Sequence, residues 1–309
     1  MTDDSIGIDI SKDRLDAVRL SDGGSRSFSN DARGFQALRT WLRAAPPARV
    51  VYESTGPYHA AFECACTGHL PLCKVNPLQA RRFAQARGVR AKTDRVDARM
   101  LAAMGVAFAL EPDRPAPAGQ HDLKELQVER CALVRDRTRL LNRLKTQTLA
   151  LTRRQTRARL AQAERQIAAT QAEIEIRLRA RRARPLSILR SIPGIGPVAA
   201  AALLIECPEI GTLGRKQAAS LAGLAPMARQ SGRWQGHAFI QGGRKPLRDA
   251  LYMPAVVAIR FNPDMRAKYQ AMRSAGKPAK VAITAVMRKL LELANALLKA
   301  DREWVPKPT

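Results

Sequence analysis

The chain has 309 residues, 46% of them hydrophobic, and carries 53 Lys and Arg against 27 Asp and Glu, for a formal net charge of +26 and a pI near 11.1. Such an excess demands a polyanion, and nucleic acid is the natural one, because each basic group set on a phosphate releases condensed counterions; an anionic membrane surface is the weaker rival. With the acidic, strand-like start "MTDDSIGIDI" no secretory signal is expected, and no apolar run approaches the ~18–20 residues of a membrane span, so a soluble, intracellular, cytoplasmic protein is expected.

Residues 5–20, "SIGIDISKDRLDAVRL", alternate apolar and polar around Asp9, and "SDGG" turns the chain into a short polar strand, "SRSFSN", which together predict a β-hairpin. A helix follows over about 31–44, with Phe35, Leu38, Trp41 and Leu42 on one side. The apolar runs "ARVVYES", ending at Glu53, and "PLCKVN", at 71–76, read as buried strands with a helix between them. Strands alternating with helices imply an α/β sheet. "AKTDRVDARML", at 91–101, reads as a later helix of the same domain, with Asp94 and Asp97 on one face and Lys92, Arg95 and Arg99 around them.

"EPDRPAPAGQ", at 111–120, is the expected domain boundary. From about 121 to 184 there is neither Gly nor Pro, and Leu123, Leu126, Val134, Leu141, Leu144 and Leu151 recur at helical spacing. This predicts a helix or helical hairpin, on the order of 90 Å long if unbroken. It is either a solvated arm that dimerises as a coiled coil or, through runs such as "RLRARRAR", a nucleic-acid face. In "LRSIPGIGPVAAAALLIE", the turn between two apolar helices fits a helix-hairpin-helix element, whose Gly194 and Gly196 let backbone amides approach a phosphate. Further helices are expected near 215–222, 246–260 and 279–299. The expected division is therefore 1–115, 116–184 and 185–309. Five cysteines, Cys64, Cys66, Cys73, Cys131 and Cys207, form no C-x-x-C pair and read as small buried hydrophobes rather than a disulfide or zinc framework.

Two carboxylates three apart on a helix are neighbours, and Asp94 beside an arginine has a plain ion-pair reading. Against it stands the order of the acids: a strand Asp (Asp9), a strand-end Glu (Glu53), then a helical pair (Asp94, Asp97). An RNase H-like fold gathers four carboxylates in this order. Their combined charge of −4 is self-repelling unless divalent cations, two Mg²⁺ by charge count, neutralise it. Two such ions stabilise the attacking and leaving oxygens of a phosphodiester displacement.

The successive segments "GIDISKDRLD", "VYESTGPYH", "VNPLQARRFAQARGVRAKTDRVDARMLA", "SIPGIGPVAAAALL", "LAGLAP", "QSG" and "LRDALYMPA" resemble, in order and over nearly the whole chain, the motifs of the DEDD insertion-sequence transposases. These form insertion-sequence family one hundred and ten, the bridge-RNA-guided recombinases. The resemblance implies that Asp9, Glu53, Asp94 and Asp97 are the metal-binding DEDD residues of a RuvC-like domain, joined by long helices to a C-terminal transposase domain. It also implies that Ser231, in "MARQSGRW", is a nucleophile forming a covalent serine-DNA intermediate. Taken alone, a Ser-Gly in a loop is a turn. Arg229 and Arg233 flank it, and arginines suit charge on a phosphoryl group in transfer.

The chain departs from the family pattern at "FIQGGRKPLRDALY", where Gln241 and Gly242 replace an expected Ser-Lys, and Trp234 reads either as core or as a base-stacking residue. The resemblance further implies donor and target DNA, a structured bridge RNA and a homodimer or homotetramer as partners. The rival readings are a junction-resolving nuclease in which the carboxylates activate water, and a nucleic-acid binder without enzymatic activity.

Overall fold

The computed structural model describes residues 4–306 except 55, 57, 90–92, 114–116, 118 and 233, and leaves out the side chains of Trp234 and Gln235. The chain divides into two compact units, Met1–Pro115 and Ala116–Thr309.

The first unit is built on a five-stranded sheet, ordered β3-β2-β1-β4-β5. Its strands are β1 (Ser5–Ile10), β2 (Arg14–Arg19), β3 (Ser25–Ser29), β4 (Arg49–Glu53) and β5 (Leu72–Val75). The first three form an antiparallel meander, and β1, β4 and β5 run parallel. The run expected as one strand over 5–20 is thus two. Ser11 makes the turn, its hydroxyl accepting from Arg14 N at 3.2 Å and donating to Arg14 O at 3.0 Å.

The helices of this unit are α1 (Ala32–Arg43), α2 (His59–Cys66), α3 (Pro77–Ala86) and α4 (Asp94–Ala107). Strand alternation sends Ile6, Ile8, Ile10, Val50 and Tyr52 into a core with Phe35, Leu38 and Leu42 of α1 and Phe62 of α2. On the other face Val51, Cys73 and Val75 pack with Leu101 and Met104 of α4. The sheet therefore lies between two helical layers.

The second unit opens with α5 (Gln120–Thr146) and α6 (Ala150–Ser191). They form an antiparallel hairpin within the chain, as the pairs Asp122–Arg177 at 2.7 Å and Arg137–Glu164 at 3.4 Å show. The expected apolar stripe is only partly used: Leu123 is buried, but Leu133 rather than Val134 is the next buried apolar residue, and Leu141 and Leu151 are exposed. Arg182 has non-helical angles (φ −142°, ψ 40°) three residues before Pro185, whose ring clashes with the preceding turn. α6 runs through this kink, so the expected division at 184/185 falls inside a helix. Leu123, Ile174 and Leu178 share one core with Leu186, Leu203, Leu251 and Leu290.

The remaining helices are α7 (Pro197–Glu206), α8 (Arg215–Leu221), α9 (Lys245–Phe261), α10 (Pro263–Ser274) and α11 (Ala279–Lys299), with a small ribbon of β6 (Gln230–Ser231) and β7 (Trp234–Gln235). α3 and α10 were not expected. Of the cysteines, Cys66, Cys73 and Cys207 are buried as expected, while Cys64 is exposed and Cys131 half-buried. No helix among the described residues is long and apolar enough to cross a membrane.

Candidate active site

In the parallel pairing of β1 with β4, Ile8 lies opposite Tyr52. Asp9 and Glu53 take the next step of that register, side by side where the two strands end. Alternation puts Ser5, Gly7 and Asp9, with Val51 and Glu53, on the face that α4 covers. The helix lies against the strand backbone: a Cβ on Gly7 would fall 1.8 Å from Ala98 O and 2.5 Å from Ala102 N, and one on Gly105 would fall 2.6 Å from Ser5 Oγ. Residue 105 thus meets residue 5 and residues 98 and 102 meet residue 7, so α4 runs antiparallel to β1. Its first turn, which holds Asp94 and Asp97, arrives at Asp9. Thr93 caps that turn, its hydroxyl accepting from Val96 N at 3.3 Å, and the helix N-terminus is where acidic residues are most stable.

The Asp9 carboxyl is pushed up to about 6, first by burial and then by the charges of Asp94, Asp97, Glu53 and Asp16. The other three sequence-selected acids therefore act electrostatically on Asp9, and a further one, Asp16, joins them. Asp16 stands directly opposite Asp9 in the β1–β2 register. It accepts hydrogen bonds from the Ser27 hydroxyl and the Arg14 guanidinium, and Arg14 Nη2 also lies 3.8 Å from Asp94 Oδ2. Sequence reading passed over Asp16 and Arg14 because strand parity assigns them to this face only once the turn at residues 11–13 is known.

Among the described residues, no three His, Cys, Asp or Glu stand close enough to hold a metal ion. The donor set is nevertheless all hard oxygen, with a mutual repulsion that a divalent cation relieves, so its chemistry fits Mg²⁺. Arg95 and Arg99 are exposed on α4, whereas Lys92 lies outside the described residues.

In the second unit Ser231 pairs with Trp234 across the β6–β7 ribbon, with Gly232 at φ +54° making the turn, and both Ser231 and Gly232 are exposed. The ribbon continues through a bridge between Met227 and Phe239, where the Arg229 guanidinium lies 4.7 Å from the Phe239 ring centroid. Arg233 lies outside the described residues. The departure at Gln241 and Gly242 has a steric context. Gly242 and Gly243 both have positive φ, and a Cβ on Gly243 would fall 2.1 Å from Gly223 N of "LAGLAP". Arg248 closes the loop by donating to Ala222 O and Gly242 O.

The two glycines of the expected helix-hairpin-helix differ. Gly194, at φ +106°, is packed on α9, where a Cβ would lie 2.7 Å from Ala258 Cβ and 2.8 Å from Pro254 O. Gly196 is exposed at the N-cap of α7, with nothing within 4 Å of an added Cβ.

Residues 6–153 match the model of a family described as "Transposase", and residues 186–270 match that of "Transposase IS116/IS110/IS902 family". The chain is 31% identical to the "Pilin gene-inverting protein" of Moraxella bovis over 323 aligned residues, which cover 97% of each protein, and the Moraxella lacunata protein of the same name matches to the same extent. It is also 34% identical to the "Insertion element IS900 uncharacterized 42 kDa protein" of Mycobacterium paratuberculosis over 47% of this chain and 36% of that protein. The chain belongs to the IS116/IS110/IS902 transposase family and is a DNA-processing enzyme of the transposase/recombinase class.

Proposed function

We propose that this chain is an RNA-guided DNA recombinase that moves an insertion element, with an RNase H-like (RuvC-like) catalytic domain at 1–115, a helical arm at 116–184 and a strand-joining domain at 185–309. The observation that carries the reading is that Glu53, Asp94 and Asp97, from the end of β4 and the first turn of α4, all act electrostatically on Asp9 near the end of β1, whose carboxyl is pushed up to about 6. The strand order β3-β2-β1-β4-β5, with its antiparallel meander and parallel edge, supports the RNase H-like assignment. Relatives named as gene-inverting proteins support recombination over cutting alone, since inverting a segment requires broken strands to be rejoined.

The four carboxylates would hold Mg²⁺, two ions by charge, which supplies neutralisation of the phosphoryl oxygens during displacement. Ser231 supplies the nucleophile. Its Oγ–P bond forms as the P–O bond to the neighbouring nucleotide breaks, the seryl proton passes to a base, and the departing deoxyribose oxygen is protonated. A hydroxyl of the exchange partner then attacks the phosphoserine, restoring the diester and the serine without external energy. Exposure of Ser231 on a ribbon supports access to DNA. A structured bridge RNA carries target and donor choice by base pairing while the protein reads backbone and shape. Bringing two DNA partners together suits a homodimer or homotetramer, for which the exposed Leu141, Leu149 and Leu151 of the outer arm offer apolar surface.

The test is to stop a reaction on nicked DNA with detergent. A protein–DNA adduct removed by protease is expected for the native chain and none for Ser231→Ala. An alanine variant that still recombines overturns the nucleophile, and one that cuts without rejoining points to hydrolysis by the carboxylates alone. For the RNA, the protein purified through high salt should retain one defined species, because non-specific phosphate contacts weaken steeply there. Recovery of mixed cellular RNA alone contradicts guidance.

A further inference from the structure

On the face of the first unit opposite the carboxylates, α1 and the edge strand β3 enclose an open groove of about 660 Å³, lined by Arg26, Phe28, Arg33, Gln36, Thr40 and Trp41 among others. Arg26 and Arg33 are exposed, and they are the only titratable groups among the described lining residues. Trp41, half-buried, is held in place by its neighbours. Phe28 lies 5.9 Å away between ring centroids, and the guanidinium of Arg19 lies 5.4 Å from the ring. Arg19 is itself buried and fixed by Asp4 and Ala45 O, while Arg26 reaches the ring from the groove at 5.9 Å. α1 is pinned to β3, since Gly34 leaves no room for a Cβ against Ser29 O, at 1.8 Å.

The groove therefore presents a fixed aromatic surface with two exposed cations at its rim. An anionic chain with flat unpaired bases matches that combination: bases stack on the aromatic ring and phosphates pair with the arginines. Duplex DNA hides its bases in the stack, whereas loops of a folded RNA expose theirs. The groove also lies across the sheet from Asp9, because α1 packs on Ile6, Ile8 and Ile10 while α4 packs on the face of Gly7 and Val51. A strand bound here is held rather than presented for cutting.

We propose that the β3–α1 groove binds an unpaired segment of RNA, with a base stacked on Trp41 and phosphates on Arg26 and Arg33. It rests on the RNA-guided reading for the source of that strand, and on the groove for its position.

The probe is an oligouridine of about twelve nucleotides, within the site size of such surfaces, photocrosslinked to the full-length protein and mapped after trypsin digestion. Crosslinks are expected on the peptides Thr40–Arg43, which contains Trp41, and Ser27–Arg33, which contains Phe28. Because Trp41→Ala also removes packing, the binding test uses the exposed residues. The double variant Arg26→Glu and Arg33→Glu should bind the oligouridine at least about tenfold more weakly, with a salt slope lower by roughly 1.4, at about 0.7 per lost single-strand contact. A native circular dichroism spectrum of this variant establishes that folding is retained. Crosslinks confined to other peptides, or unchanged affinity in the double variant, overturn the groove while leaving RNA guidance standing. Equal or tighter crosslinking of oligodeoxythymidine at Trp41 overturns the choice of RNA. Failure of the native protein to bind any RNA overturns the groove and the guided reading together.

Discussion

Asp9, Glu53, Asp94 and Asp97 come off the ends of regular elements whose mutual position is set by backbone contact, whereas Ser231 stands on a two-residue strand of an exposed ribbon. The carboxylates need a fixed geometry, because like charges stay together only when folding energy elsewhere holds them. Packing of α4 on Gly7 supplies it. On the proposed reading Ser231 must reach different DNA strands and needs access instead, which a glycine-turned ribbon supplies. Rigid scaffolds hold ligand sets, and loops present groups to partners.

The widest separation between the two regions is expected in catalysis. If the four carboxylates hold Mg²⁺ as proposed, Asp9→Asn or Glu53→Gln should lower strand cleavage by roughly a thousandfold or more while leaving DNA binding intact, because either change removes a ligand from the charge-neutralising set. A gel assay on nicked DNA reads this. Cleavage at the native rate by either variant would remove the metal argument for the first unit.

The next effect is on stability. Gly7→Ala places a methyl group inside the backbone of α4, 1.8 Å from Ala98 O, so α4 must move off the sheet. At least ~3 kcal/mol of destabilisation is expected, read by urea unfolding with hydrogen exchange of the β1 and α4 amides. Gly196→Ala in the second unit, at φ −80° and with open space around it, should change stability by no more than about 0.5 kcal/mol. A tolerated Gly7→Ala would mean that α4 is not locked and that the comparison fails at its root.

The acids were legible in the sequence because strand alternation and helical spacing are local patterns: Asp9 alternates with isoleucines, and Asp94 and Asp97 follow a Thr cap. The turns were less legible. Ser11 reverses the chain with its own hydroxyl, so neither Gly nor Pro marks the turn at residues 11–14. The hairpin between α5 and α6 likewise turns at residues 147–149 without either residue. The two missed helices begin alike, with Asn76 before Pro77 and Asn262 before Pro263. In both, the Asn side chain accepts from the first-turn amides and Pro takes the first helical position. Asn-Pro reads as a turn or as a helix start, and here it was a start both times. The Trp41 groove depends on β3 and α1 meeting in space, which no local pattern contains.

A smaller effect separates activity from stability at Asp9. Its carboxyl titrates at about 6 when folded against 3.8 otherwise, so the folded state holds the proton more tightly. Folding stability therefore falls as pH rises from 3.8 to about 6, and the penalty is fully present above that range. Asp9→Asn removes it. The metal-free variant should be more stable than the native chain by about 1 kcal/mol near neutral pH, after discounting for partial solvent screening, and no more stable below the lower limit. Thermal melts at the two pH values read the difference. Mg²⁺ should raise the melting temperature of the native protein and have little effect on the variant. A variant less stable than the native chain at neutral pH would show that Asp9 serves the fold and not the site.

The smallest effect belongs to Ser231, and its smallness is what makes it informative. The residue is exposed on the ribbon, and Gly232 rather than Ser231 carries the left-handed conformation of the turn, so the hydroxyl is not needed for the local backbone. Ser231→Ala should therefore leave global stability within about 0.5 kcal/mol of the native value, as surface substitutions do. Gly232→Ala, at φ +54° with open space around it, should cost roughly 1 kcal/mol from backbone conformation alone. If alanine at 231 instead unfolds the unit, a lost adduct would say nothing about the nucleophile, and the ribbon would be a structural element like the glycine contacts beneath α4. If stability holds while the adduct disappears, the hydroxyl acts in the chemistry and not in the scaffold.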